Sequence, residues 1–167
     1  MAVSGRATDR AVSMAVYAGF GILVIWAGVA LINHSLDLKF YRDFLLKWEV
    51  ALSFCNREGG SWPCFSGANH VQYMEQVTSL MGTKGFSPPA SNTGRPYVYR
   101  LKRIGADRED IFILCFREKL ILYGISARTF ERLDTYIDGE PSAETGAFTG
   151  RPGKDRLTYT GRWTILK

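Results

Sequence analysis

Few side chains in this 167-residue chain belong to patterns that support catalysis or metal binding. The two histidines, His34 and His70, lie outside any metal-ligand motif. Nucleophile-elbow, phosphate-loop and dinucleotide-binding motifs are absent, so triad hydrolysis, phosphate cradling and hydride chemistry lack support. The carboxylate pair Glu109 and Asp110 follows Arg108 in a polar segment, where solvation accounts for it. We therefore expect no catalytic residue, no metal and no cofactor, and predict that the protein is not an enzyme.

The three cysteines offer one redox possibility. Cys55 and Cys64 flank the short segment NREGGSWP, which predicts a disulfide between them. Closing so small a loop would remove roughly 2 to 3 kcal/mol of unfolded-state entropy and would imply an oxidising compartment. The alternative is two reduced thiols at the end of a helix. Cys115 lies inside the apolar run IFILCF, which is typical of a buried, inert thiol.

Basic and aromatic side chains alternate in one stretch, at Tyr97, Tyr99, Arg100, Lys102 and Arg103. On a strand, the period of two places Arg100 and Lys102 on the face opposite the tyrosines. Stacking and phosphate contact would therefore not converge on one surface, as they do on a nucleic-acid platform. The net charge of +5 is mild, and we expect no nucleic-acid partner.

An uncharged stretch of 26 residues, from Ala11 to Leu36, precedes all of these groups except His34, which it contains. As a helix it would measure about 39 Å, which exceeds the hydrocarbon core of a bilayer. It predicts a transmembrane helix over 11–36 that divides the chain into a tail, 1–10, and a domain, 37–167. The membrane is therefore the first expected partner.

The direction of insertion is not decided by charge, because Arg6 and Arg10 stand against basic residues beyond the stretch. We expect a cytoplasmic N-terminus and a periplasmic or extracellular domain, because the cysteine loop fits that side and the tail is too short to fold. A cleaved signal peptide is the alternative, since Gly28-Val29-Ala30 offers small residues for a cut. The apolar run, however, continues past that position.

Small residues recur along one stripe of the predicted span. Because they are spaced by four, they would let a partner helix approach closely. Ordinary alanine content in an apolar helix is the competing interpretation. The predicted helix-helix interface consists of Ala7, Ala11, Ala15 and Gly19.

An amphipathic pattern follows the span without an intervening Gly or Pro, so one helix is predicted from about residue 11 to 55. Gly59, Gly60 and Pro63 would end it. Its apolar positions recur every three to four residues and predict the face that packs on the rest of the domain. That predicted packing face consists of Leu36, Phe40, Phe44, Trp48 and Leu52.

The remaining chain changes from helical to alternating periodicity. A second helix is predicted over 69–81, with Asn69 as its N-cap. The segment 128–137 fits either a short helix or a strand, and we favour the helix. The composition of 86–96 and 139–155 indicates loops. Strands are predicted over 97–104, 111–116, 120–125 and 157–165, which makes an α+β fold with a small antiparallel sheet.

This order of elements resembles that of the type IV pilins and pseudopilins, in which a membrane helix runs into an amphipathic helix packed on a C-terminal antiparallel sheet. The resemblance rests on architecture. The family's leader motif, Gly-Phe with a Glu at the fifth mature position, is absent, because Arg6 follows Gly5 and Val24 stands at the Glu position after Gly19-Phe20. The resemblance implies a filament or envelope-assembly role.

Two functions are compatible with these features. The first is a non-enzymatic, single-pass membrane-anchored structural or assembly subunit, which other copies or other subunits would contact as a homopolymer or a heteromeric complex. The second is an anchored extracytoplasmic sensor or ligand-binding module that uses the loops 82–96 and 139–155.

Overall fold

The computed structural model describes residues 5–57, 59, 61–140, 142, 144–153 and 158–165. The chain divides into two compact units, the first ending at Ser35 and the second starting at Leu36. The helices are α1 Gly5–Lys39, a π-helical segment Phe40–Leu45, α2 Leu46–Arg57, α3 His70–Thr83 and α4 Ala127–Asp138. The strands are β1 Val98–Leu101, β2 Glu109–Cys115, β3 Lys119–Ser126, β4 Phe148–Pro152 and β5 Thr158–Thr164.

The first unit is helical and carries its apolar side chains on the outside. Large side chains between Val12 and Ile32 are exposed, including Phe20 at 66% and Trp26 at 72%. Within the described residues, the helical stretch Thr8–Arg57 is long and apolar enough to cross a membrane, with a mean hydropathy of 2.2 in its most apolar window. The length and composition of this stretch therefore agree with the predicted span.

The π-helical segment follows α1 directly and lies within the second unit. Its hydrogen bonds run from residue i to i+5, so each turn holds more residues than an α-turn. Phe40, Phe44 and Leu45 can consequently all face inward, and each is at most 1% exposed. The sequence predicted a helix here but not its change of winding, because the spacing of four residues between Phe40, Phe44 and Trp48 also fits an α-helix.

The sheet is antiparallel, with the strand order β1-β2-β3-β5-β4. Ile113 pairs with Leu122, and both are completely buried on one face. On that face, Tyr99 lies 4.8 Å from the rings of both Phe40 and Phe44. The predicted packing of the amphipathic helix on the sheet is therefore present.

Helix α3 covers part of the opposite face. The ring of His70 lies 6.4 Å from Phe112 and 6.1 Å from Tyr123, two paired residues that point away from the buried Ile113. Asn69 precedes α3 as predicted, but its side chain makes no capping bond and instead accepts a hydrogen bond from the Ser66 amide at 3.0 Å. The strands thus have helical cover on both faces.

Of two sequence-based predictions for the C-terminal part, one is confirmed and the other is wrong in part. The segment 128–137 is helical, as favoured, and belongs to α4. The predicted loop 139–155 is wrong in part, because it contains strand β4, which pairs with β5. Its Gly and Pro content concealed this strand, whose Phe148 is fully buried and stacks on Phe130 at 5.1 Å.

Candidate functional site

A buried ionic cluster connects the start of the second unit to the sheet. Arg103 lies just beyond β1, and its side chain is 1% exposed. Its Nε donates to Asp37 Oδ1 at 2.6 Å, and its second terminal nitrogen donates to the Thr129 hydroxyl at 2.8 Å. The third guanidinium nitrogen meets Glu109 at 2.5 Å. One side chain therefore joins helix α1, strand β2 and helix α4.

Glu109 extends the cluster to the N-terminus of α4. Its carboxylate accepts hydrogen bonds from the Ser126 amide at 2.8 Å and the Ser126 hydroxyl at 2.9 Å. The Thr129 hydroxyl lies 2.7 Å from the same carboxylate, and the Thr129 amide donates to Ser126, which caps the helix. A negative charge here is favoured by the helix dipole as well as by Arg103.

A second arginine, Arg132, adds a positive charge beside Asp37. Arg132 Nε lies 3.2 Å from Asp37 Oδ2, an ion-pair distance, although that oxygen accepts no hydrogen bond. Two carboxylates and two guanidiniums therefore lie together; Asp37, Arg103 and Glu109 are at most 10% exposed, whereas the Arg132 side chain is 31% exposed. The cluster also engages the Ser126 and Thr129 hydroxyls through Glu109. Its chemistry is to hold residue 37 in one place against the sheet.

Sequence reasoning did not find this cluster. Asp37 is the first charged residue after the apolar stretch, and Arg103 belongs to the basic-aromatic group. Their pairing spans 66 residues, so no local pattern reports it. In that basic-aromatic group, Tyr97 lies just before β1 and is buried against Phe112 at 5.6 Å.

The predicted packing face lies mostly inside the core. Phe40, Phe44, Trp48 and Leu52 are at most 1% exposed, and Leu36 is partly buried. The face belongs to the domain itself and is not available to another subunit.

The predicted helix-helix stripe lies on α1. Ala11, Ala15 and Gly19 are exposed, and a Cβ added at Gly19 would meet nothing within 4 Å. The side chain of Ala7 lies outside the described residues. The use of this stripe as an interface stays a prediction.

The predicted disulfide between Cys55 and Cys64 is absent, and neither cysteine is bridged. Cys55 points from α2 into the core and is 1% exposed, whereas Cys64 lies on the exposed segment before α3. Sequence proximity suggested a bridge, but the helix directs one side chain inward while the loop carries the other to the surface. Burial raises the pKa of the Cys115 thiol well above its ordinary value, so this thiol stays protonated.

An exposed apolar stripe runs along the outer side of α2. Leu46, Val50 and Phe54 follow each other at intervals of four residues and are 36%, 45% and 47% exposed. Phe86 stacks on Phe54 at 5.6 Å and closes one end of a groove of about 310 Å³. We call this surface the α2 groove. Its lining residues are Arg42, Leu46, Lys47, Val50, Ala51, Phe54 and Phe86.

A second concavity of about 320 Å³ lies on the sheet face opposite α2. Trp62 and Phe116 supply aromatic surface, and the charged lining consists of Arg117, Lys119 and Arg162 with one carboxylate, Glu118. The Lys119 ammonium lies 5.1 Å from the centre of the Phe116 ring. We call this concavity the Trp62 cleft.

No metal site is present among the described residues, where no three His, Cys, Asp or Glu side chains come together. The ring of His70 packs among Phe65, Phe112 and Tyr123. Comparisons with family models, with curated proteins and with solved structures find no match for this chain.

Proposed function

We propose that this protein is a non-enzymatic, single-pass membrane-anchored subunit of a larger envelope complex or pilus-like filament. The α2 groove is the observation that carries the proposal. Three large apolar side chains at helical spacing remain exposed on a domain whose other α2 face is fully packed. Contiguous apolar surface of this kind marks interaction sites on folded proteins.

The occupant we propose for the α2 groove is a helix of a neighbouring membrane subunit. Its apolar side chains would fill the groove between Val50, Phe54 and Phe86, and acidic side chains would face Arg42 and Lys47. Both basic residues are exposed and have no ion-pair partner within the described part of the chain. Charge complementarity of this kind gives register and specificity more than affinity.

The proposal places the N-terminus in the cytoplasm and the domain in the periplasm or outside the cell. Because Cys55 and Cys64 are not bridged, a disulfide does not support an extracytoplasmic domain. The basic residues on the two sides of the span are balanced. The exposed Cys64 thiol allows a direct test of this direction by chemical labelling.

The decisive experiment compares the native size of full-length protein and variants after extraction in mild detergent. Val50→Glu places an acid in the α2 groove and should convert a discrete assembly into a monomer. Val71→Glu is the matched control, because Val71 on α3 is 39% exposed and lies outside the groove. A monomeric wild type, or an assembly that survives Val50→Glu, would refute the proposal. A ladder of one species would favour the filament, and a discrete complex of several partners the accessory subunit.

The Trp62 cleft favours the second candidate, an anchored ligand-binding module. Aromatic surface beside Lys119 and Arg162 suits a small anion that carries a ring. Titration of the full-length protein with benzoate or glucuronate, followed by tryptophan fluorescence, would test it. Saturable binding that is lost in Arg162→Ser but kept in Arg95→Ser would support this candidate; no saturation with either probe would dismiss it.

A further inference from the structure

The loop between β1 and β2, residues 102–108, is held at the point where the chain leaves the apolar stretch. Arg103, its second residue, is bonded to Asp37 at 2.6 Å, and Glu109, which follows it, joins the same cluster. Asp37 is the first residue after the apolar stretch 11–36. If that stretch spans a membrane, covalent connection puts Asp37 at the membrane surface, and the ionic cluster brings the loop there with it.

The loop offers this surface one apolar side chain between basic ones. Ile104 is 48% exposed, and Lys102 and Arg108 are exposed on either side of it. Gly105, with a φ of +72°, reverses the chain next to Ile104 and leaves it at the tip of the turn. An apolar tip flanked by cations is the arrangement that interfacial membrane-binding segments use.

Further basic residues surround the same cluster. Arg128 is exposed and precedes Thr129, which accepts a hydrogen bond from Arg103 at 2.8 Å. Lys39 is exposed two residues after Asp37. Two exposed acidic side chains lie nearby: Asp107 within the loop, and Asp110, which forms an exposed ion pair with Arg108 at 3.1 Å. We call Lys39, Lys102, Ile104, Arg108 and Arg128 the basic collar.

We infer that the basic collar binds anionic lipid headgroups on the domain's side of the membrane, with Ile104 entering the boundary between headgroups and acyl chains. The inference rests on the proposed membrane anchoring and adds to it a lipid preference. Lys and Arg next to an anionic leaflet are attracted within a Debye length of its surface. The buried cluster fixes the position of the loop through Arg103, Asp37 and Glu109. The charges of the basic collar are not used in these bonds and can face the lipid headgroups.

The test uses the full-length chain with Cys64→Ser, so that an introduced cysteine is the accessible thiol. An environment-sensitive fluorophore is attached at Ile104→Cys, and the protein is reconstituted into vesicles that carry a headgroup nitroxide quencher. The vesicles contain phosphatidylcholine alone or with phosphatidylglycerol. Thr83→Cys is the matched control, since Thr83 is exposed and Lys84 beside it bonds the Cys55 carbonyl at 2.7 Å, roughly 27 Å along the helix from Asp37.

We expect quenching at position 104 to exceed that at position 83 by about twofold or more, and to rise with phosphatidylglycerol. Replacing two collar charges, by Lys102→Ser with Arg128→Ser, should abolish the rise. Arg57→Ser with Arg95→Ser, which removes two exposed charges outside the collar, should preserve it.

Failure of this inference can be told from failure of the anchoring itself. A fluorophore at Val24→Cys reports insertion through quenching by nitroxides on the acyl chains. If position 24 is quenched while position 104 behaves like position 83, or is quenched equally in neutral lipid, the basic collar does not bind anionic headgroups. If position 24 is not quenched, the proposed membrane anchoring is wrong, and the inference that rests on it is wrong as well.

Discussion

The charge of Arg103 stabilises the fold through its buried contacts with Asp37 and Glu109. Replacing Arg103 with methionine would leave Asp37 and Glu109 buried beside an apolar side chain, because the guanidinium is their shared hydrogen-bond donor. Removing one partner of a buried ion pair costs about 3 to 5 kcal/mol. We expect Arg103→Met to lower the free energy of unfolding by that amount, measured by urea denaturation of the full chain in detergent with circular dichroism.

Arg100 provides the matched control for this prediction. Its Nε also donates to an aspartate, Asp110, at 2.7 Å, but their side chains are 48% and 39% exposed. An exposed pair contributes about 1 kcal/mol or less, so Arg100→Met should change stability little. Equal losses in the two variants would show that burial does not set the strength of the cluster.

Asp134 is a further buried carboxylate, and its effect on stability changes with pH in the opposite direction to that of a carboxylate in a stabilising ion pair. Burial, together with the nearby charge of Asp138, raises the pKa of Asp134 above its ordinary 3.8, although the Ser142 amide opposes the shift. An acid with a raised folded-state pKa stabilises the fold most at low pH, and that contribution is lost as the pH rises through the folded-state value. Asp134 therefore stabilises the domain less at neutral pH than at acidic pH.

Substitution by asparagine tests this linkage. Asp134→Asn should raise the free energy of unfolding at pH 7 and flatten its decline as the pH rises above 3.8, because the amide does not ionise. Urea denaturation at a series of pH values from 4 to 7 measures it. An unchanged pH profile would mean that Asp134 is ionised in the folded protein at no cost.

At the scale of elements, α4 packs against a glycine pair in the sheet. Gly150 on β4 is opposite Gly161 on β5, and a Cβ at Gly150 would overlap the ring of Phe130. A Cβ at Gly161 would lie 2.5 Å from the Phe148 ring. These glycines are required by the close approach of aromatic rings, which explains why a Gly-rich segment can still be a strand.

Gly150→Ala should therefore cost about 1 to 3 kcal/mol, because the Phe130 ring must shift to make room. Thermal unfolding followed by circular dichroism measures the loss. Gly94→Ala is the control, since a Cβ at Gly94 meets nothing within 4 Å. A Gly150→Ala protein as stable as the control would indicate that α4 is not held tightly on β4.

For the whole molecule, the direction of insertion can be measured with the native cysteines. Cys64 is exposed, whereas Cys55 and Cys115 are buried, so one thiol should react. If the domain lies outside the cytoplasm, a membrane-impermeant maleimide should label intact cells or spheroplasts. Cys64→Ser should remove the label, and labelling that appears only after permeabilisation would place the domain in the cytoplasm.

The properties that the sequence alone determined are those encoded over short distances. The absence of charge over 26 residues, the spacing of Phe40, Phe44 and Trp48, and the alternation of the strands each follow from neighbours within one element. These patterns predicted the long apolar helix, its buried continuation and the α+β class, because burial on one side of a helix or sheet imposes a period on the chain.

Tertiary structure alone decided the features that depend on residues far apart in the sequence. Arg103 meets Asp37 across 66 positions, strand β4 forms because β5 pairs with it, and Cys55 turns inward while Cys64 stays outside. The apolar positions of α2 did not show which of them would stay exposed, since both sides of that helix carry large apolar residues. Which side chains pack against each other depends on the tertiary structure, and the local periodicity of the sequence does not indicate it.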